Sequence, residues 1–444
     1  MELKEKDVLV VGMGKSGLAA VQLLCEHGAR VEACDNRPLE QLKEAASVLA
    51  ACNVRFTIQS AASFRGRDLI VVSPGVPADL PELKEAQAGG TLVIGELELA
   101  SWFLQGPVIG ITGSNGKTTT TAMTGHVLKA CGIPCQVGGN IGTPPTSLVQ
   151  SSRPGQWNVL ELSSFQLETI RRFRAQIGVV TNVTPDHLDR HHTLEAYAAA
   201  KARLFENQTA EDYAVLNADD PICLRYAATV RGKTLWFSSS KPVTPGLWFD
   251  GENIRLGGEH VIAARDFPLR GRHNLENAMA AAAAAHLAGA PVAGITAALK
   301  CFPGVEHRLE FVRAVRGVSY YNDSKATNVD ATLKALEAFP GGVWIILGGK
   351  DKNSDYRPLR EPLQAKAKAA LLIGKAAPII AEHLGNAVRQ IPCGDLASAV
   401  EIAARDAEPG DVVLLAPACA SFDQFESFEH RGRVFKQLVG ALKE

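Results

Sequence analysis

The chain has 444 residues, which at roughly 150 residues per domain points to about three domains rather than one. Hydrophobic residues make up 46% with 40 glycines, and the mean hydropathy is +0.02, a composition that excludes a disordered or fibrous chain and leaves material for a large core. Lys plus Arg (46) against Asp plus Glu (47) gives a net charge of -1, so no molecule-wide field recruits nucleic acid or an anionic membrane, and any anion must be held by a local site. The nine cysteines (Cys25, Cys34, Cys52, Cys131, Cys135, Cys223, Cys301, Cys393 and Cys419) are odd in number, scattered, and read as reduced thiols. Cys131 and Cys135 form the one close pair, with no second pair or histidine at zinc spacing. The start, MELKEKDVLVVG, runs from charges straight into a strand without a signal-peptide pattern, and the apolar run from Ala278 to Ala285 falls far short of the ~18 residues of a membrane span. A cytoplasmic protein without membrane insertion is the expectation.

In chain order, residues 7–100 alternate strands (DVLVVG, ARVEACD, VRFTI, DLIVVSPG, TLVIGELE) with helical patterns over 18–27 and 39–49, a βαβ series that predicts a parallel sheet. A second unit begins at Gly106-Pro107 with VIGIT, followed by WNVLELSS, IGVVTNV and YAVLNADDP. Residues 234–270 predict a β-hairpin insertion before a helix starting near Asn274. Past the Phe302-Pro303-Gly304 break come SYYND, VWIILGG, ALLIG and DVVLLAPA. The predicted class is α/β, with three consecutive α/β domains: a Rossmann-like N-terminal domain over 1–97, a P-loop central domain over 98–302 and a Rossmann-like C-terminal domain over 303–444. Ligands in such sheets bind at the carboxyl ends of the strands, and the informative residues lie there.

Gly12-Met13-Gly14-Lys15-Ser16-Gly17 is a G-x-G-x-x-G directly after VLVV and opening a helix, with Asp35 ending the next strand. The glycines let the backbone approach a pyrophosphate and the helix N-terminus faces its charge. NAD, FAD and nucleotide diphosphate sugars all carry that group. Gly110-Ile-Thr-Gly113-Ser114-Asn115-Gly116-Lys117-Thr118 again joins strand to helix; Ile111 occupies the first glycine position of a P-loop, but the GKT end is intact. Backbone N–H groups of such a loop wrap phosphates, Lys117 reaches the β and γ phosphates and the Thr118 hydroxyl meets Mg2+. A dehydrogenase explains the first motif and wastes the second, whereas a simple ATPase does the reverse. An enzyme that spends ATP on a nucleotide-linked substrate uses both.

The chain resembles the Mur ligases, ATP-dependent amino-acid adding enzymes of peptidoglycan synthesis. The resemblance is carried by ITGSNGKTTT, Gly139-Asn140-Ile141-Gly142, LELSSFQLE with Glu161 and Gln166, NVTPDHLDRH with His187, AAKARLFEN with Lys201, NADDP, Gly271-Arg272-His273-Asn274 and His307-Arg308. The variant P-loop is the one this family uses. The C-terminal strings NDSKATN (322–328), LGGKDK ending at Lys352 and APACASFDQF with Ser421 are similar to the branch that adds D-glutamate, and the Asp-Asn-Pro-Arg type motif of the diaminopimelate and lysine adders is absent from the last domain.

The resemblance implies addition of D-glutamate to UDP-N-acetylmuramoyl-L-alanine with ATP, through an acyl phosphate, by a cytoplasmic enzyme expected to be a monomer. It places Gly14, Lys15, Ser16, Asp35, Asn36, Arg37, Ser73 and Gly75 around the uridine diphosphate, with Asn140, Gln166 and His187 nearer the muramoyl part. For ATP it implies Gly113, Ser114, Asn115, Gly116, Lys117, Thr118, Thr119, Asn274, Arg308, Asp323 and Lys325. Two Mg2+ ions are implied, the first on Thr118 and Glu161, the second on His187 and a carbamoylated Lys201. Lys117, His187, Lys201 and Arg308 are the implied catalytic set, His187 being open to a general-base role toward the amine. Read from the sequence alone, Lys201 is a helix-surface lysine, and His187 with His191, four residues apart, could be zinc ligands. D-Glutamate presents two carboxylates, and Thr327, Lys352 and Ser421 match the family pocket, with Phe428 as an apolar wall that reads equally as a core residue.

Overall fold

The computed structural model describes residues 3–42 and 44–443. The first sheet is five-stranded and wholly parallel, in the order Arg55–Ile58, Arg30–Asp35, Asp7–Val11, Leu69–Val72, Leu92–Gly95. Its central strand, DVLVV, is buried on both faces from Val8 onward, as a parallel sheet covered by helices requires. Strand order reverses on either side of Asp7–Val11, and this switch point opens a crevice at the carboxyl ends. The helix expected over 18–27 starts earlier, at Lys15, and the pattern over 39–49 resolves into a 3-10 turn, Leu39–Gln41, and a helix, Ala45–Ala51. The stretch TLVIGELE is not one strand: it ends at Gly95, and Glu96–Ser101 is a helix.

The second sheet has nine strands. Cys135–Gly139, Trp157–Glu161, Val108–Thr112, Ile177–Val180, Tyr213–Asn217, Lys233–Ser238 and Gly246–Phe249 run parallel, and Asn253–Leu256 and Glu259–Ala263 close the edge antiparallel. The expected hairpin insertion is thus the antiparallel edge of this sheet. Along the helix Arg272–Leu287, the alanines from Ala278 to Ala285 and Met279 are all buried, which explains a face-less apolar run.

The third sheet has six strands: Glu310–Val315 lies antiparallel to Val318–Asn322, and Val412–Leu415, Val343–Gly348, Ala367–Ile373 and Gln390–Gly394 continue in parallel. The chain forms two compact units, one running to Asp266 and including Glu276–Phe302, the other comprising Phe267–Leu275 and the residues from Pro303 onward. All nine cysteines are free thiols. Among the described residues, no helix is long and apolar enough to cross a membrane.

Candidate functional site

In the first sheet, the loop after Asp7–Val11 turns directly into the helix Lys15–Glu26. A Cβ on Gly17 would lie 1.9 Å from the Gly12 carbonyl oxygen, so only glycine lets the helix pack this close to its own loop. The Ser73 hydroxyl donates to that same carbonyl at 2.6 Å. The Asp35 carboxylate accepts the Met13 N–H at 2.8 Å, the Arg37 N–H at 3.0 Å and Arg37 Nε at 3.1 Å. Burial opposes its ionisation, but the Arg37 guanidinium and these N–H groups outweigh it and hold Asp35 below the usual carboxylate range. The result is an ionised strap across the glycine loop.

Above this loop opens a cavity of about 740 Å³, within the span typical of small-molecule sites. Gly14, Lys15, Ser16, Asp35, Asn36, Arg37, Ser73, Gly75, Asn140 and Gln166 all line it. His187 is not among its lining residues. Gln59, Val76, Pro77 and Leu80 also line it and were not legible as site residues. The only available signal was the Pro74-Gly75-Val76-Pro77 run immediately after a strand.

In the second sheet, the strand Val108–Thr112 leads through residues 113–116 into the helix Lys117–Ala130. Gly116 caps that helix at φ +83, a left-handed conformation, and a Cβ there would meet the Asn277 Oδ1 at 2.2 Å. Neighbouring strand ends buttress the loop. Asn115 N–H donates to Asn182 Oδ1 at 2.9 Å, Thr181 Oγ1 donates to the Asn115 carbonyl at 2.6 Å, and Ser114 Oγ donates to the Thr184 carbonyl at 2.8 Å. Lys117 Nζ donates to the carbonyls of Gly113 and Ser114, both at 2.8 Å. Thr118 and Thr119 occupy the first helical turn.

Lys201 is 1% exposed, so the surface reading of this residue is corrected. Its Nζ donates to the Gly113 carbonyl at 2.8 Å, the same oxygen Lys117 uses, and lies 4.3 Å from the Tyr197 ring centroid. Burial, with the Lys117 charge added, pushes its ammonium well below the usual lysine range, and Asp186 opposes this. Glu161, 2% exposed, ends the strand next to Val108–Thr112 and accepts from Asn140 Nδ2 at 3.2 Å. Two lysines and a carboxylate therefore serve adjacent strand ends, an arrangement suited to a polyanion with a hard cation.

His187 sits at φ +52 with its ring 5.0 Å from that of Phe165. His191 stacks on Phe165 at 5.4 Å, and its Nε2 is 2.9 Å from Ser164 Oγ. Among the described residues, no group of three or more His, Cys, Asp or Glu is placed to hold a metal ion.

In the second unit, Val318–Asn322, Val412–Leu415 and Val343–Gly348 are neighbouring parallel strands, so the loops leaving their carboxyl ends lie side by side. These loops carry Asp323, Lys325 and Thr327, then Ser421, then Lys352. Main-chain bonds knit them: Ala418 N–H to the Ala326 carbonyl at 2.9 Å, Gly348 N–H to Pro417 at 2.9 Å and Lys350 N–H to Ala420 at 2.8 Å. Beneath them Arg431, 0% exposed, donates to Ser324 Oγ at 2.9 Å, the Ser324 carbonyl at 2.8 Å and the Cys419 carbonyl at 3.2 Å. Nothing in the sequence singled it out. The Tyr356 hydroxyl donates to Asp351 Oδ1 at 2.7 Å, and Asp351 also accepts the Asn353 and Ser354 N–H groups, shaping the turn that exposes Lys352.

Burial raises the Asp323 carboxyl to about 7 against the charges of Arg308 and Lys325. Ser421 Oγ is buried with no hydrogen-bond partner among the described residues. Phe428 is half-buried, its ring 5.6 Å from Lys325 Nζ. Asn274, buried near the start of its helix, donates from Nδ2 to the Arg270 carbonyl at 2.7 Å.

A pyrophosphate-type glycine loop on one sheet, a P-loop on the next and a cationic, hydroxyl-bearing rim on the third define a three-sheet α/β enzyme of the P-loop class. The MurD-like N-terminal domain of Mur ligases matches residues 6–95, the Mur ligase middle domain 111–285 and the Mur ligase glutamate ligase domain 307–419. The chain belongs to the Mur ligase family, and is an ATP-dependent ligase. Over 443 residues it is 59% identical to a UDP-N-acetylmuramoylalanine--D-glutamate ligase of Solibacter usitatus, covering 100% of this chain and 99% of the relative. A protein of the same name from Acidobacterium capsulatum is 52% identical over 447 residues, covering 99% and 97%. In fold it is similar to the crystal structure of a UDP-N-acetylmuramate-alanine ligase from Thermotoga maritima, with TM-score 0.63, 19% identity and 99% and 100% coverage.

Proposed function

We propose that the chain joins D-glutamate to UDP-N-acetylmuramoyl-L-alanine at the expense of ATP, in the cytoplasmic stage of peptidoglycan synthesis. The observation that carries this is the pairing of a pyrophosphate cavity with a P-loop in a chain 59% identical, end to end, to a ligase of that name. The division of labour follows the sheets: residues 1–97 for the nucleotide sugar, 98–302 for ATP, 303–444 for the amino acid.

A carboxylate does not form an amide until its oxygen becomes a leaving group. The terminal carboxylate oxygen of the alanyl substrate attacks the γ-phosphorus, the bond to ADP breaks, and an acyl phosphate forms. The D-glutamate nitrogen then attacks the acyl carbon, inorganic phosphate departs and the nitrogen loses a proton. Phosphoryl transfer between anions is served by positioning and positive charge. The N–H groups of residues 113–119 and Lys117 hold the triphosphate, and the family resemblance adds Asn274, Arg308, Asp323 and Lys325 as ATP-binding residues. Thr327, Lys352 and Ser421 take the two D-glutamate carboxylates, with Phe428 as the apolar wall.

Buried Glu161, which ends the strand next to Val108–Thr112, and the Thr118 hydroxyl in the first turn of the helix after the P-loop are oxygen donors of the kind Mg2+ takes alongside phosphates. Bound there, Mg2+ would supply neutralisation of phosphate charge. Lys201, packed on the P-loop carbonyl, would hold a second Mg2+ with His187 once carbamoylated; addition of carbon dioxide, with loss of two protons from the ammonium, would turn a repelling cation into an oxygen donor. The test is phosphate release from ATP with UDP-N-acetylmuramoyl-L-alanine, comparing D-glutamate, L-glutamate, L-alanine and diaminopimelate. Release dependent on D-glutamate alone is expected; release indifferent to it overturns the reading.

A further inference from the structure

Sharing part of its lining with the large cavity is a second one of about 10 Å³, lined by Ser73, Glu96, Gln166, Thr169 and Arg190 among others. Ser73 and Gln166 line both. Glu96 is 1% exposed and Gln166 is 2% exposed. Glu96 Oε1 accepts the Thr146 N–H at 2.7 Å and the Thr146 hydroxyl at 2.6 Å, whereas Oε2 is buried with no hydrogen-bond partner among the described residues. Gln166 Oε1 accepts the Ser163 N–H at 3.0 Å and the Ser163 hydroxyl at 3.1 Å, whereas Nε2 is likewise buried and unpartnered. The backbone donor of Ser163 fixes this amide orientation, since a flip would set N–H against N–H. A buried carboxyl oxygen and a buried amide donor, each anchored through the other atom of its group, thus belong to residues that line one space.

Buried polar groups of this kind are almost always satisfied. The volume admits one water molecule, which makes about three hydrogen bonds in such sites. It can accept from Gln166 Nε2 and pair with Glu96 Oε2, donating to it when the carboxylate is ionised and accepting from it when the carboxyl carries its proton. Ser73, whose proton goes to the Gly12 carbonyl, keeps lone pairs for the third bond.

We propose that this cavity is a one-water site bridging Glu96 and Gln166, and that Glu96 acts through it as a positioning residue for the nucleotide-sugar substrate. The inference rests on the assignment of Gln166 to that substrate. Glu96 lines the small cavity but not the large one and touches no substrate; it sets the angle at which the Gln166 amide meets the large cavity.

A high-resolution crystal structure of the full chain should show one ordered oxygen within hydrogen-bond distance of both atoms; no such oxygen, or direct contact between the two side chains, overturns the proposal. In steady-state assays Glu96→Leu should raise KM for UDP-N-acetylmuramoyl-L-alanine about tenfold with kcat and KM for ATP little changed. Glu96→Gln, which keeps two polar anchors, should restore most of the affinity. A merely structural role would lower Tm in Glu96→Leu without this KM split, and that result overturns the positioning role. Gln166→Ala separates the two layers: raised KM in Gln166→Ala but not in Glu96→Leu defeats this inference alone, whereas unchanged KM in Gln166→Ala defeats the substrate assignment and the inference with it.

Discussion

Burial raises the Glu96 carboxyl from 4.5 to about 7, against the two hydrogen bonds from Thr146. The folded chain therefore keeps a proton that the unfolded chain sheds. Stability from this group is fully present below about pH 4.5 and is lost as pH rises through about 7. Glu96→Gln has no proton to shed. Urea unfolding of both chains at pH 5 and pH 8 should show the variant gaining on the parent by on the order of 3 kcal/mol at the higher pH; a difference constant with pH would remove Glu96 as its source. Residues such as this one, and Lys201, mark the limit of the sequence. In LEAYAAAKA nothing distinguishes a lysine in solvent from one buried against Tyr197 and the Gly113 carbonyl, because small alanines give the helix no clear polar face. The glycine loops were legible, since their function depends on local backbone geometry. Val76 and Leu80 were not, because they reach the cavity from a loop after a strand that carries no motif of its own.

The helix Glu96–Ser101 was unreadable for a related reason. TLVIGELE alternates well enough for a strand, yet a Cβ on Gly95 would meet Thr169 Oγ1 at 2.1 Å, and the chain turns there into a helix that fastens the first sheet to the second. Glu98 does the fastening: its carboxylate accepts from Trp102 Nε1 at 2.9 Å and from the N–H groups of Arg171, Arg172 and Phe173 at 2.8 to 3.0 Å. Glu98→Ala strands three main-chain donors, at about 1–3 kcal/mol each. A loss of at least about 3 kcal/mol in urea unfolding is expected, and one below about 1 kcal/mol would contradict the fastening role. Arg431 holds two loops in the same way in the second unit. Arg431→Met should raise KM for D-glutamate with the nucleotide-sugar KM unchanged, because the Ser324 and Cys419 carbonyls it binds carry the loops of Thr327 and Ser421. The strand Gln390–Gly394 escaped notice because Pro392 interrupts it, which an edge strand tolerates.

At the scale of the whole chain, a net charge of -1 conceals cations gathered at strand ends: Lys117 on the P-loop, Arg308, Lys325 and Lys352 in the second unit. The residues proposed for the nucleotide sugar and those proposed for D-glutamate belong to different sheets, so the affinity for each of these two ligands should respond to its own set. Arg37→Ala takes away the guanidinium that straps Asp35 at the mouth of the first cavity. It should raise KM for UDP-N-acetylmuramoyl-L-alanine about tenfold or more, the size of a charge-assisted hydrogen bond, and leave KM for D-glutamate unchanged. Lys352→Ala should do the reverse, because its exposed ammonium stands on the Asp351 turn of the third sheet. Measuring both constants for both variants gives four numbers. Crossed effects, with either variant weakening the other's ligand as strongly as its own, would mean that the sheets do not bind independently. An unchanged D-glutamate KM in Lys352→Ala would remove that lysine from the amino-acid pocket.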